Sequence, residues 1–248
     1  MRVMILAAGL GERMRPLTNH VPKPLLRVGG RCLIEYHLDR LITAGFTEIV
    51  INLAYLGSQI EQALGNGQRY GVCIDYSYEG SEPLGTAGGI IHALPLLGDS
   101  PFLVINSDIW CDYPLNQLSY HLTGLAHLIL VDNPDHHPQG DFCLVQQPPP
   151  NPLLSKEGER MITPLLVKEG QGVVHSYFTF SGIGIYHPQL FKHGPVGKSA
   201  LAPLLIQAMQ SDQVTGEHYR GKWIDVGTPE RLRQLDFDLT TFRKLSSL

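Results

Sequence analysis

The chain has 248 residues, with 19 Lys and Arg against 23 Asp and Glu, hence a formal net charge of −4. A weakly acidic chain lacks the basic surface that sequence-independent binding to DNA or RNA requires. No apolar run approaches the ~18 residues needed to cross a bilayer, and a 43% hydrophobic composition supplies a sizeable core rather than a disordered chain.

Residues 3–7 are continuously apolar and run into glycine-rich sequence, the pattern of a strand buried on both faces. Gly11, Glu12, Arg13 and Arg15 follow at once, without a small-x-small cleavage site, so this start is not expected to be a signal peptide. Residues 33–45 carry apolar side chains at helical spacing (Leu33, Ile34, Leu38, Leu41, Ile42) and stop at Gly45, which predicts a helix with a C-terminal glycine. Strands are predicted at 48–53, 72–78 and 102–105, with helices at 58–64 and 85–94 between them. This strand–helix rhythm over residues 1–110 implies βαβ units and a largely parallel sheet, in which ligands sit beyond the carboxyl ends of the strands. The second half, residues 111–248, is less regular: strands at 126–131, 178–186 and 222–226, an amphipathic helix at 200–209, and a helix from Pro229 onward. It reads as an α+β part closing over the first.

Residues 146–172 break the pattern. They open with Gln-Gln-Pro-Pro-Pro-Asn-Pro, and residues 152–158 (Pro-Leu-Leu-Ser-Lys-Glu-Gly) recur at 164–170 (Pro-Leu-Leu-Val-Lys-Glu-Gly). Two copies cannot make a solenoid, so an inserted surface loop or hairpin is expected. Cys32, Cys73, Cys111 and Cys143 lie far apart with no Cys-x-x-Cys and no histidine at zinc spacing; reduced thiols of a cytoplasmic protein are expected.

The densest chemical signal follows the first strand: Ala7-Ala8-Gly9-Leu10-Gly11-Glu12-Arg13-Met14-Arg15, then Pro22-Lys23-Pro24. It is neither a Walker A loop nor the Rossmann G-x-G-x-x-G, because Met14 stands where the third glycine belongs. Small residues here let backbone N–H groups approach an anion and leave room for a flat base. Arg13 and Arg15 add bidentate donors, and Lys23 adds a point charge between two stiffening prolines. Asp108 follows the strand at 102–105, where a carboxylate would repel a triphosphate unless a cation such as Mg²⁺ intervened.

On the G-x-G-x-R…P-K-P string the chain resembles the sugar-1-phosphate nucleotidyltransferases, and the resemblance covers nearly all of it apart from residues 146–172. Within that family it is most similar to the N-acetylmuramate α-1-phosphate uridylyltransferases of cell-wall recycling, on residues 128–142, on Thr179-Phe-Ser-Gly-Ile183 and on residues 216–231. The resemblance implies one α/β nucleotidyltransferase domain over 1–248: a Rossmann-like, mostly parallel mixed sheet flanked by helices, with a smaller α+β sugar-binding part. It implies UTP and a sugar 1-phosphate as partners, no nucleic acid or membrane, a monomer or weak homo-oligomer, and Mg²⁺ on Asp108 and Asp225. Ala8, Gly9, Gly11, Glu12, Arg13, Lys23, Thr86, Gly88 and Asn106 would bind the nucleotide, with Arg13 and Lys23 catalytic. Asp141, Ser181 and Gly182 would meet the sugar. Asp141 also reads as a turn aspartate after Gly140, and Asp225 as a helix cap or surface ion-pair partner.

Three features depart from the family pattern or lie outside it. Ser107 stands where the family has glycine before the metal aspartate, which strains the backbone by ~1–3 kcal/mol only if φ is positive there. In Glu82-Pro-Leu-Gly-Thr-Ala-Gly-Gly89, Gly85 stands where close uridylyl members often carry glutamate, so base choice rests on the overall match. The helix opening near Gly88 is expected to offer free N–H groups. For the lactyl carboxylate of N-acetylmuramate, Arg220 and Lys222 are the candidate cations, with His136 and His137 near the same pocket. Another sugar phosphate or base, a non-catalytic nucleotide-sensing module, and a general glycosyltransferase stay open as alternatives. The last would hold its metal through D-x-D, where residues 106–108 read Asn-Ser-Asp.

Overall fold

The computed structural model describes residues 1–118, 122–145, 160–164 and 176–246. Its first half is four parallel strands: β1 (Val3–Leu6), β4 (Glu48–Leu53), β5 (Cys73–Tyr78) and β6 (Phe102–Asn106), ordered β5-β4-β1-β6. Helices α1 (Leu33–Thr43), α2 (Gly57–Leu64) and α3 (Gly85–Leu97) connect them. The chain steps outward from β1 to β4 and β5, then returns to lay β6 on the other side of β1. The strand order therefore reverses at β1/β6, the place where an open α/β sheet binds ligands.

Alternation along the strands sorts the core into two layers. Val3, Ile5, Ile49 and Ile51 pack with Ile34, Leu38 and Leu41 of α1 and Ile60 of α2. Met4, Val50 and Val104 point to the opposite face, against Ala87, Ile90 and Ala93 of α3 and against α4 (Ala202–Met209). Two-faced burial explains why these strands read as unbroken apolar runs. A third cluster joins Met14 to Val28, Leu33 and Val226 and to Leu232 and Leu235 of α5 (Pro229–Ser246). Met14 is fully buried; where a Rossmann loop has glycine, this loop has an anchor.

The second half continues the same sheet with mixed polarity. β11 (Tyr177–Tyr186) runs antiparallel to β6, β8 (Ala126–Val131) antiparallel to β11, and β12 (Val214–His218) parallel to β8. β10 (Arg160–Pro164) and β9 (Phe142–Val145) follow, and β9 pairs back onto the start of β11, so the strands of this half close on themselves. Two short ribbons, β2 (Arg27–Val28) with β3 (Arg31–Cys32) and β7 (Ile109–Cys111) with β13 (Trp223–Asp225), lie off the main sheet.

Several elements were not foreseen: the ribbons β2/β3 and β7, and strands β9, β10 and β12. The ribbons and β9 are four residues or fewer, and β12 contains Gly216, Glu217 and His218, residues of low strand preference that tertiary pairing overrides. α3 begins at Gly85 and continues through Pro95 to Leu97, longer than its glycine and proline content suggests. Of residues 146–172, 160–164 form β10, which pairs antiparallel with β9, the hairpin of the two expected alternatives; the first repeat copy and all but Pro164 of the second lie outside the described residues.

Candidate active site

The carboxyl ends of β1 and β6 open into a cleft of about 590 Å³. Its floor is the loop after β1, where Ala7, Ala8, Gly9, Gly11, Glu12 and Arg13 line the space. Gly9 is open: a Cβ there would meet nothing within 4 Å. Gly11 sits at φ +64°, and a Cβ would lie 2.9 Å from Thr18 Cγ2, while the Thr18 hydroxyl donates to Gly11 O at 2.7 Å. The loop is thus a positive-φ turn pinned by Thr18 on one side and Met14 on the other, with its backbone turned to the cleft.

A polar relay fixes this loop to the opposite wall. Ala7 N–H donates to Asn52 Oδ1 (2.7 Å), Asn52 Nδ2 donates to Glu79 Oε1 (2.6 Å), and Leu84 N–H donates to Glu79 Oε2 (2.7 Å). Asn52 is buried, and both Asn52 and Glu79 line the cleft. Sequence reasoning missed both. The signal available was a lone polar residue inside the apolar run of β4. Lys198, also on the wall, had none.

Thr86, Asn106 and Asp108 lie where expected, on the cleft wall. Gly88 does not. Helix α3 starts three residues earlier, and Ala87 N–H and Gly88 N–H both donate to Ser199 O (3.1 and 3.3 Å). The expected free donors at Gly88 are therefore taken. A Cβ at Gly88 would lie 2.3 Å from Gly197 O, and one at Gly85, whose φ is +73°, 2.7 Å from Ser199 O. These glycines let the 197–199 segment close on the helix. Ser107 is absent from the positive-φ residues, so serine is unstrained there.

The cations and acids meet as follows. Lys23 Nζ, only 9% exposed, pairs with Asp108 Oδ2 at 2.7 Å. Val226 N–H donates to Asp108 O at 2.8 Å, and Asp225 faces Ile109 across the β7–β13 ribbon. The two acids sequence reading paired thus stand on adjoining backbones, although 117 positions separate them. Asp225 Oδ2 takes Arg231 Nη1 at 2.9 Å and has His136 Nε2 at 3.4 Å. Gly227, on the cleft wall, is where these groups converge: a Cβ would lie 2.6 Å from Arg231 Nη2, 2.8 Å from Asp225 Oδ1 and 3.1 Å from Arg13 Nη2. Arg15 is exposed and off the cleft.

Behind Asp108 lies His37 of α1, fully buried. Burial first, and the Arg40 charge second, push its imidazole down to about 4, against the opposing pull of the Ser107 and Ile109 backbone and Asp108. Its ring nitrogens face that backbone, yet neither completes a hydrogen bond.

The predicted sugar residues are distributed differently. Asp141 Oδ2 accepts from Phe180 N–H at 2.8 Å and Oδ1 is 3.1 Å from His137 Nε2, so its carboxylate fastens β11 to the 132–141 loop. Ser181 is fully buried, its hydroxyl accepts from Ile183 N–H, and its carbonyl accepts from Trp223 Nε1, so in this structure it holds the β11 irregularity. Gly182, at φ +83°, packs on Asn106, where a Cβ would lie 2.8 Å from Nδ2. Arg220 and Lys222 are exposed and off the cleft, with Arg220 Nε 3.5 Å from His218 Nδ1. Among the described residues no helix is long and apolar enough to cross a membrane.

The two carboxylates are hard oxygen donors, Asp108 in the turn between β6 and β7 and Asp225 at the end of β13, and among the described residues no group of three or more His, Cys, Asp or Glu side chains is placed to hold a metal. That set suits Mg²⁺, which takes one or two carboxylates and completes its shell with phosphate oxygens and water.

Comparison with known proteins agrees with this geometry. The family model described as nucleotidyl transferase matches residues 2–241. The chain is 49% identical over 242 residues to N-acetylmuramate alpha-1-phosphate uridylyltransferase of Neisseria meningitidis, covering 94% of this chain and 96% of that one. It is 47% identical over 122 residues to mannose-1-phosphate guanyltransferase of Aspergillus fumigatus, which is 48% of this chain but 33% of that protein. A putative glucose-1-phosphate thymidylyltransferase from Bacillus anthracis superposes with a TM-score of 0.77 at 21% identity, over 97% of this chain and 95% of that one, a likeness of fold.

Proposed function

The chain belongs to the nucleotidyl transferase family, and from that premise we propose that it transfers UMP from UTP to N-acetylmuramic acid α-1-phosphate, releasing pyrophosphate and UDP-N-acetylmuramic acid. The single observation that carries the transfer chemistry is the meeting, in one cleft, of the glycine loop, Arg13, Lys23 and Asp108, with Asp225 on the adjoining strand. The choice of uridylyl and N-acetylmuramyl groups is supported by the 49% identity that runs nearly end to end in both chains. The setting proposed is the cytoplasm, as a monomer or weak homo-oligomer.

A phosphate oxygen of the sugar 1-phosphate attacks the α-phosphorus in line. The new P–O bond forms as the bond from that phosphorus to the bridging β-oxygen breaks, and pyrophosphate leaves with the electron pair. The attacking phosphate is ionised at neutral pH, so the chain needs no nucleophile or strong base. Its work is alignment and charge neutralisation. Backbone N–H groups of residues 9–13 and the Arg13 guanidinium bind the β- and γ-phosphates. Lys23 reaches the α-phosphate and the incoming phosphate together. The Asn52–Glu79 relay holds the floor and wall at a fixed separation, so that the base enters between Gly9 and Thr86. Mg²⁺, held by Asp108 and Asp225, would supply further neutralisation of the α-phosphate.

A pyrophosphate-release assay across four nucleoside triphosphates, against N-acetylmuramate, mannose and glucose 1-phosphates, tests this. Turnover confined to UTP with N-acetylmuramate 1-phosphate is the expected result. Preference for GTP with mannose 1-phosphate would replace the substrates and keep the reaction. UTP binding without turnover on any sugar phosphate would favour a nucleotide-sensing module.

A further inference from the structure

Each of the two acids is matched by a cation of the chain itself. Lys23 Nζ lies 2.7 Å from Asp108 Oδ2, and Arg231 Nη1 lies 2.9 Å from Asp225 Oδ2. The Arg231–Asp225 pair is largely shielded, at 21% and 19% exposed, and in the other pair Lys23 is 10% exposed while Asp108, at 35%, stays open to the cleft. Arg231 Nε is buried without a hydrogen-bond partner, so its guanidinium is held by the Asp225 and His136 contacts of Nη1 rather than by a surrounding network. Sequence analysis gave Arg231 no role.

We propose that Lys23 and Arg231 are internal counter-ions that weaken divalent-cation binding at the two acids, and that nucleotide draws Lys23 off Asp108 while Arg231 stays on Asp225; this rests on the reading of Asp108 and Asp225 as the metal acids. The two guards differ in whether nucleotide releases them. Lys23 has an alternative anion, the nucleotide's phosphate, and moving onto it exposes Asp108 Oδ2. Arg231 has no such exchange and stays as the positioning residue of Asp225. It holds Oδ2, while Oδ1 faces Gly227 and the cleft. The consequence is that the free protein binds divalent cations weakly, and the cation enters together with the nucleotide. Two carboxylates on backbones joined by the Val226–Asp108 hydrogen bond would otherwise repel each other and attract a cation unaided. Shielded cations within 3 Å offset that repulsion, and any incoming ion must compete with them.

The test is Mn²⁺ binding to the nucleotide-free full chain, read from the loss of the free-ion paramagnetic resonance signal. Lys23→Met keeps the length of the side chain and removes its charge. We expect it to bind Mn²⁺ about tenfold more tightly than the unmodified protein, the size expected from removing one close opposite charge. Arg231→Gln should gain similarly, and Arg231→Lys should return towards the unmodified value. Adding Asp108→Asn to Lys23→Met should abolish the gain, which excludes adventitious surface acids. Equal or weaker Mn²⁺ binding by Lys23→Met overturns the proposal whatever the Arg231 variants do, and so does a gain that survives Asp108→Asn. No nucleotide or sugar enters the measurement, so failure of the proposed substrates would leave its outcome unaffected.

Discussion

The parallel half and the antiparallel half of the sheet treat chemically suggestive residues in opposite ways. In the parallel half, β1 and β6 carry the motifs, and most of the expected residues at their carboxyl ends reach the cleft, among them Gly9, Gly11, Arg13, Asn106 and Asp108, though not Arg15. In the antiparallel half, Asp141, Ser181 and Gly182 spend their polar or conformational properties on the backbone of β11 and on Asn106. The physical difference is polarity. Parallel strands deliver all their carboxyl ends to one edge, so a motif after any of them lands beside the others. Antiparallel strands alternate direction, and a polar residue beside a β irregularity is needed to satisfy the local ladder.

This contrast can be broken by substitution. In the parallel half, Asp108→Asn and Lys23→Ala should retain the fold by circular dichroism and lose ~10²–10³ in turnover, ~3–4 kcal/mol of transition-state stabilisation. Near-normal pyrophosphate release at saturating Mg²⁺ in either would remove the role assigned to that side chain.

Next in size is a stability effect beneath the same strand end. His37 is neutral and buried when folded, near 4, against the usual 6.5. Between these values the unfolded chain binds the extra proton, so stability is complete above pH 6.5 and falls as pH drops towards 4, by up to about 3 kcal/mol. Denaturant melts of the wild type and His37→Leu across that window should diverge, with the variant flatter; parallel curves would exclude His37 as the source.

Smaller still is the relay under the loop. Asn52→Leu leaves Ala7 N–H and Glu79 without their partner, a loss of about 1–3 kcal/mol, with KM for the nucleotide rising as the floor loosens. An unchanged KM would mean that the loop keeps its shape without Asn52. The smallest change belongs to the antiparallel half: Ser181→Ala should cost about 0.5–1.5 kcal/mol of stability and leave KM for the sugar phosphate where it was. A raised KM at unchanged stability would return Ser181 to the sugar site.

Much of the molecule was legible in the chain. Val3–Leu6, Ile49–Ile51 and Phe102–Ile105 are apolar on both faces because helices cover both sides, and that burial shows as apolar runs in the sequence. The loop after β1 was legible because its function demands small residues and cations close together in sequence. β12 was not, since a strand with polar or glycine residues is decided by its neighbours, and β9, four residues long, is too short to set a period. Gly88 misled because a glycine serving close packing against Gly197 looks the same, in sequence, as one serving a phosphate.

What the amino-acid order determined by itself is therefore local: the buried strands, the positive-φ turn at Gly11, and the clustering of Arg13 and Lys23 near one strand end. What only the tertiary structure decided is which distant groups share a hydrogen bond's reach. Val226 beside Asp108, Arg231 on Asp225, Asn52 under Ala7 and His37 behind Ser107 each join segments that no sequence period links. Such contacts depend on how β7 and β13 pair and on where α1 and α5 pack. Those outcomes are set by the burial of many side chains at once rather than by any residue's own preference.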